Sequence, residues 1–162
     1  MNIFEKIFSE FNKAKLKYLV VGGLAVVLHG YRRFTGDLDI LLFLEQKNLM
    51  KMDKVMKKLG YQERLPVSVM SLQDHKQIKK WLKEKNMTAY SYVPINHSYV
   101  IVDILTEKSI HFKKFSTKRI LKKINNTVIP VVSINDLIKM KKEAARDQDL
   151  LDLQFLENLK DL

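Results

Sequence analysis

Residues 19–43 read LVVGGLAVVLHGYRRFTGDLDILLF, and this stretch decides the fold. An apolar run ends at Gly22-Gly23, and a short apolar segment and a basic-polar loop follow. Asp37-Leu38-Asp39 then leads into a second apolar run. Buried strands rarely carry two carboxylates at their start, because such groups must be solvated, paired or bound to a cation. We therefore expect function to depend on what these two acids bind.

Apolar periodicity around this stretch predicts alternating helices and strands, so the fold class is α/β or α+β. Ser133 is expected to cap the C-terminal helical segment, with Asp136 as its reciprocal partner. The region 61–73 is expected to be a strand with a break at Pro66. The predicted helices cover 2–15, 24–28, 46–59, 73–85 and about 133–160, with a pause near 146, and the predicted strands cover 17–21, 38–44, 61–73, 88–95, 99–105, 119–124 and 127–132.

The composition restricts the classes of partner and of binding site that the chain can have. The 162 residues predict a single domain, 1–162, and include 29 Lys+Arg against 18 Asp+Glu, a formal net charge of +11. That charge favours anionic partners, and a lysine-rich solvated surface explains it equally well. Cysteine is absent, which excludes disulfides and thiolate metal sites. The charged N-terminus and the lack of a long apolar run predict a soluble, cytoplasmic protein without membrane association.

The two acids of the second run have the spacing of metal ligands. Residues i and i+2 of a strand point to the same side, so Asp37 and Asp39 project together and repel each other. Their oxygens suit hard divalent cations, chiefly Mg²⁺. Asp103 lies in a strand of similar apolar character. If that strand is a neighbour, three carboxylates converge and could hold two Mg²⁺ ions about 4 Å apart.

The Gly22-Gly23 pair permits close approach of the backbone to a phosphate. A helix is predicted to follow it, and the free N–H groups at the start of a helix favour anions. The pair is equally consistent with a tight turn between a strand and a helix. It matches neither the P-loop nor the dinucleotide-binding pattern, because the residues that follow differ from both.

The combined pattern resembles the nucleotidyltransferase superfamily of the polymerase-beta type. The match consists of Gly22-Gly23, twelve further residues, Gly36-Asp37-Leu38-Asp39 and a later Val102-Asp103-Ile104. More narrowly, residues 33–39 are similar to the Arg-x-Thr-x-Asp-x-Asp form of small stand-alone members, including those related to abortive-infection (AbiEii-type) toxins. Residues 136–152 are similar to a helical segment of the same group.

The resemblance implies a mixed sheet flanked by helices and an NTP bound through Mg²⁺, with Mn²⁺ as a substitute. It implies transfer of a nucleoside monophosphate to an acceptor and release of pyrophosphate. Asp37 and Asp39 would bind metal, and Asp103 would complete the metal site and help to deprotonate the acceptor hydroxyl. Gly22 and Gly23 would contact the triphosphate through their backbones.

Many members carry a serine at the position of Gly23, and its hydroxyl contacts phosphate. Arg33 or Thr35 is expected to supply that contact here. Lys141 and Arg146 are expected to reach the triphosphate or the acceptor.

An alternative interpretation of the C-terminal segment is structural. Arg146, Asp149 and Asp152 have i, i+3 spacing, so they could form an ion-pair ladder that fastens a helix.

The acceptor stays open at this stage. Basic residues between 113 and 123 suit RNA, including a tRNA end, while a small-molecule alcohol or a protein hydroxyl fits the motif equally well. A second hypothesis is a toxin–antitoxin component or other partner-binding module that keeps the fold with little catalysis. A third, a generic basic nucleic-acid binder, is weaker because the sequence lacks a helix-turn-helix or aromatic RNA-binding motif.

Overall fold

The computed structural model describes residues 2–96 and 98–162, and in this part of the chain seven strands form one mixed sheet. Met1 and His97 lie outside the described residues. The strands are β1 Tyr18–Val21, β2 Leu38–Leu42, β3 Tyr61–Glu63, β4 Ala89–Pro94, β5 Val102–Leu105, β6 Ile120–Ile124 and β7 Thr127–Val131. Their order across the sheet is β3-β4-β5-β2-β1-β7-β6. The β2–β5 and β1–β7 pairs are parallel and the other pairs are antiparallel. The predicted fold class, a mixed sheet flanked by helices, is confirmed.

Most of the helices follow the predicted apolar periodicity, but two short ones, Thr106–Ser109 and Phe112–Ser116, were not predicted. One of the predicted helices begins two residues later than expected, because the Asp74 carboxylate accepts from the backbone N–H groups of Lys76 and Gln77 at 3.0 and 3.2 Å. Within the described residues, the helices are too short or too polar to cross a membrane. The α-helices are α1 Ile3–Lys13, α2 Gly22–Leu28, α3 Gln46–Lys58, α4 His75–Lys85, α5 Thr106–Ser109, α6 Phe112–Ser116, α7 Ile134–Ala144 and α8 Asp147–Lys160.

The central strands of the sheet are the most deeply buried part of the chain. All four residues of β1 are buried, and β2 is buried apart from Asp39, which is half-buried. Helix α1 packs its aromatic face here, with the Phe8 ring stacked on Tyr18 at 5.9 Å. Burying these apolar side chains is the dominant stabilising term of such a core. It holds β2, and therefore Asp39, in the middle of the sheet.

The predicted strand over 61–73 is mostly wrong. Pairing with β4 stops at Glu63, and a short 3₁₀ helix covers Val69–Gln73. The Ser68 hydroxyl accepts from the Met70 backbone N–H at 3.1 Å and caps that helix. Proline at 66 cannot donate to a sheet, so the chain leaves the sheet edge before it.

The predicted capping box at the start of α7 is half present. The Ser133 hydroxyl accepts from the Asp136 backbone N–H at 3.2 Å, as predicted. The reciprocal contact is wrong, because the Asp136 carboxylate pairs with Lys118 Nζ at 3.0 Å. An ion pair with a residue 18 positions away has taken the place of the predicted local hydrogen bond to the Ser133 backbone.

Candidate active site

Asp39 and Asp103 lie side by side at the centre of the sheet. They are register partners on the parallel strands β2 and β5. Residues paired in this way project from the same face, and their strands are about 4.8 Å apart. The structure thus brings together two of the three predicted acids, which are 64 positions apart in the chain.

Gly22 makes room for the Asp39 carboxylate. Its φ of +67° is in the left-handed region, and a Cβ at this position would collide with Asp39 Oδ2. Residue 21, the last of β1, is the register partner of Asp39. Only glycine therefore allows the chain to turn from β1 into α2 while a carboxylate lies against its backbone.

The pKa of Asp39 is raised from its usual 3.8 to about 6, and burial is the largest cause. The negative charges of Asp103 and Asp37 contribute to this rise, and the positive charges of Lys141 and Arg146 oppose it. The surroundings thus balance the negative charge of the Asp39 carboxylate poorly. A bound proton or cation would neutralise that charge.

Asp103 is in a similar position but has a hydrogen-bond partner. Burial raises its pKa, and the charge of Asp37 adds to this effect. The Ser91 hydroxyl donates to Asp103 Oδ1 at 2.5 Å and opposes the rise. Ser91 is the register partner of Asp103 on β4. Sequence reasoning missed it, and the only signal was a polar residue between two tyrosines in the predicted strand 88–95.

Asp37 lies directly before β2 and is exposed. It influences both other acids through charge, as described above. Among residues 2–96 and 98–162, no group of three His, Cys, Asp or Glu side chains is close enough to form a metal centre. Asp39 and Asp103 therefore form a close pair of carboxylates, and Asp37 is near enough to affect both electrostatically. Their oxygen atoms are of the type that Mg²⁺ prefers as ligands.

Arg33 and Thr35 occupy the space beside Gly23. A Cβ on Gly23 would lie 2.7 Å from Arg33 Nη2 and 2.8 Å from Thr35 Oγ1. Both side chains come from the loop before β2, and both stand where a side chain at residue 23 would begin. The three predicted residues form one cluster at the start of α2.

Lys141 is buried in an ion-pair network between α7 and α8. Its Nζ lies 2.8 Å from Asp149 Oδ1 and 3.0 Å from Asp152 Oδ2. Asp149 also accepts from Arg146 Nε at 2.9 Å and from the Arg146 backbone N–H at 3.0 Å. Burial alone would raise the pKa of Asp149, but hydrogen bonds from Lys141 and Arg146 lower it to about 2. The Arg146–Asp149 pair fits the predicted ladder, whereas Asp152 is bound to α7.

A cleft of about 480 Å³ contains Asp39, Asp103, Lys141 and Arg146, whereas four predicted site residues do not line it: Gly23, Arg33, Thr35 and Asp37. Glu107 and Lys108 of α5 and Glu143 of α7 line its far side, and Lys108 and Glu143 form an ion pair at 2.5 Å. These three charged residues were also missed, because nothing local marks them. The cleft is lined by five of the predicted site residues, Gly22, Asp39, Asp103, Lys141 and Arg146.

Comparison with known proteins shows which fold the chain has and does not show its family. No protein-family model matches the chain, and no curated protein matches its sequence. A solved structure with a similar fold is the lincomycin-bound crystal structure of the lincosamide antibiotic adenylyltransferase LnuA. The TM-score is 0.62, the identity is 16%, and 97% of each chain is covered. The chain therefore has a nucleotidyltransferase-like fold.

Gly22→Ala is expected to destabilise the protein by about 1–3 kcal/mol, because alanine is strained at positive φ and its Cβ would displace Asp39. Urea denaturation at pH 7 measures the effect. Gly36→Ala is the matched control. A Cβ at Gly36 would make an ordinary 3.6 Å contact with the Phe34 ring, so its effect should stay within about 0.5 kcal/mol. Equal stability of the Gly22→Ala variant and the parent protein would contradict the packing described here.

Asp39→Asn is expected to stabilise the metal-free protein at neutral pH. Because folding raises the pKa of Asp39, the folded protein holds this proton more tightly than the unfolded chain does. The ionised group therefore costs stability, in full above pH 6 and not at all well below pH 4. The amide removes that cost, a gain of roughly 2–3 kcal/mol at pH 8 that vanishes toward pH 4.

Denaturation in EDTA between pH 4 and pH 8 tests this prediction. Asp161→Asn, which removes an exposed acid at the end of α8, should give no such gain. A gain that is independent of pH, or none at pH 8, would refute the electrostatic explanation.

Proposed function

We propose that the protein is a Mg²⁺-dependent nucleotidyltransferase that moves a nucleoside monophosphate from an NTP to a hydroxyl acceptor and releases pyrophosphate. The observation that carries the proposal is the register pairing of Asp39 with Asp103 in a cleft that also contains Lys141 and Arg146. Carboxylates suited to a cation and positively charged side chains suited to phosphates thus lie in one cleft. The fold shared with LnuA supports the same reaction class.

Asp39 and Asp103 would hold the cation. Asp37 does not lie close enough to them to complete a three-acid group in the described part of the chain, and it would become the third ligand of a two-ion site only on moving toward the bound cation. The fit rests on the donor chemistry and on the repulsion among these acids, which a divalent ion would relieve. Bound Mg²⁺, or Mn²⁺ in its place, would neutralise phosphate charge and activate the attacking oxygen.

The protein's own groups account for the rest of the reaction. The acceptor oxygen attacks the α-phosphorus, the bond from the α-phosphorus to the bridging oxygen breaks, and pyrophosphate leaves. Asp103 is the proposed recipient of the hydroxyl proton.

The triphosphate is proposed to lie along the start of α2. Gly22 and Gly23 would contact it through their backbone N–H groups. Arg33 and Thr35, which occupy the position of a residue-23 side chain, would replace the serine hydroxyl of other members. Arg146 donates to Asp149 through Nε, and its side chain is 79% exposed, so its outer guanidinium nitrogens would reach a phosphate in the cleft.

Two observations bear on the acceptor. The cleft volume of about 480 Å³ and its apolar wall, including Leu137 and Met140, support a small-molecule alcohol. The net charge of +11 and the basic residues between 113 and 123 support RNA, including a tRNA end. A protein hydroxyl is the third class.

The sequence motif over residues 33–39 and the segment over residues 136–152 support a classification of the protein with small stand-alone nucleotidyltransferases related to AbiEii-type toxins. A toxin–antitoxin partner belongs to that narrower proposal. Purification of the native protein with a second small protein would favour it.

Incubation with each α-³²P-labelled NTP and Mg²⁺ should transfer label to one of three fractions: total RNA, small metabolites or protein. Asp39→Asn and Asp103→Asn should each reduce transfer by about 100-fold or more, because the charge that stabilises the reacting phosphates is lost. Glu84→Gln, an exposed position on α4, should keep full activity. If no label moves and millimolar NTP does not bind with Mg²⁺ or Mn²⁺, the proposal fails.

Thermal denaturation tests the cation separately. Mg²⁺ with NTP should raise the melting temperature of the parent protein by mass action, by an amount that grows with ligand concentration. The rise should disappear in Asp37→Asn and persist in Glu84→Gln. An equal rise in Asp37→Asn would remove this residue from the proposed ligands.

A further inference from the structure

Asp152 is a fully buried carboxylate on α8 that joins three parts of the chain. Its Oδ2 accepts from Arg33 Nη2 at 3.0 Å and lies 3.0 Å from Lys141 Nζ. Its Oδ1 lies 2.9 Å from Arg33 Nε and accepts from Gln148 Nε2 at 3.0 Å. The loop before β2, α7 and α8 therefore meet at one side chain.

The two cations that Asp152 holds have different surroundings. Lys141 keeps a second carboxylate, Asp149, at 2.8 Å. Arg33 donates a hydrogen bond to Asp152 through Nη2, and its Nε lies at an ion-pair distance of 2.9 Å without a hydrogen bond. Its Nη1 donates to the Phe34 carbonyl at 2.8 Å. Loss of the Asp152 charge would therefore release Arg33 more than Lys141.

Asp152 also separates two like charges. Arg33 and Lys141 contact the same carboxylate oxygen, so without its charge the guanidinium and the ammonium would repel each other at short range in a buried setting. The side chain that is free to respond is that of Arg33, because it belongs to a loop.

The position of Arg33 is the one that matters for a nucleotide. Its Nη2 lies 2.7 Å from the Cβ position of residue 23, beside Thr35 Oγ1. A guanidinium held there in advance binds an anion without losing rotamer freedom at the moment of binding. Asp152, being fully buried, acts on that site through Arg33.

We propose that Asp152 is a positioning residue for the nucleotide: it holds Arg33 beside Gly23, where the triphosphate binds. This rests on the proposed function. The role is distinct from fastening α8, because it predicts weaker NTP binding by the folded variant in addition to the stability lost with a buried, ion-paired charge.

The test uses Asp152→Asn, which keeps the size of the side chain and removes its charge. NTP binding is measured by equilibrium dialysis with Mg²⁺, and steady-state kinetics separates KM from kcat. The Kd and KM for NTP should rise about 10-fold, the loss of one charge-assisted contact, while kcat changes less than about 3-fold.

Two further variants separate positioning from general damage. Asp136→Asn also removes a buried, ion-paired carboxylate, on α7 and paired to Lys118, and should leave the NTP affinity unchanged. Combining Asp152→Asn with Arg33→Gln should weaken NTP binding no more than Arg33→Gln alone, because both changes remove the same contact.

Each outcome either supports or overturns the positioning role of Asp152. An unchanged Kd in Asp152→Asn, or additive effects in the double variant, overturns the positioning role and leaves the proposed function standing. No NTP binding by the parent protein overturns both. If Asp152→Asn does not fold, Gln148→Ala replaces it. This exposed residue donates to Asp152, and its loss should raise the NTP Kd about 2–3-fold, whereas no rise overturns the inference.

Discussion

Two carboxylates, Asp39 and Asp103, are held side by side on adjacent central strands, and the rest of the structure accommodates them. Both are partly buried, and burial raises the pKa of each. A chain that needed only stability would place apolar residues here, as it does at their neighbours Ile40 and Ile104. Stability given up at one point of a core is typical of functional sites. Burial of the apolar residues of β1 and β2 offsets the free-energy cost of these two carboxylates.

A second group of charges works in the opposite direction. Lys141, Asp149, Asp152 and Arg33 are closely paired, and the pKa of Asp149 is lowered to about 2 by the bonds it accepts from Lys141 and Arg146. A lowered pKa contributes stability that is present above pH 4 and is lost as the pH falls toward 2. The paired network and the unpaired acids lie in and beside one cleft. The first joins α7 to α8, and the second is where the proposed cation would bind.

Local patterns predicted the elements and could not predict their long-range partners. The apolar run into Asp39 and the glycine break before α2 are visible along the chain, because strand burial and glycine geometry are local. The register of β2 with β5 joins positions 64 residues apart, and the Arg33–Asp152 pair joins positions 119 apart. Ser91 became part of the site only through its pairing with Asp103. Tertiary pairing thus decided which polar residues face the acids.

The errors have the same origin. The region 61–73 alternates like a strand, but Ser68 caps a 3₁₀ helix, and sheet pairing had already ended. Asp136 has the spacing of a capping partner, and Lys118 competes for its carboxylate across 18 residues. In both cases a weak local preference met a contact that only the folded chain supplies.

Gly23 shows how a departure from a sequence pattern can be explained by packing. A serine here would place its Cβ within 2.8 Å of both Arg33 Nη2 and Thr35 Oγ1, closer than packed atoms allow. The glycine and the two loop residues are therefore one combination, since a side chain at residue 23 and the present position of Arg33 exclude each other. Asp152 accepts from Arg33 Nη2 in this position, where the guanidinium leaves no room for a Cβ at residue 23. The loop that leads into Asp37 and Asp39 thus puts Arg33 and Thr35 where a side chain at residue 23 would begin, and under the proposed function these two residues would take the place of the serine hydroxyl.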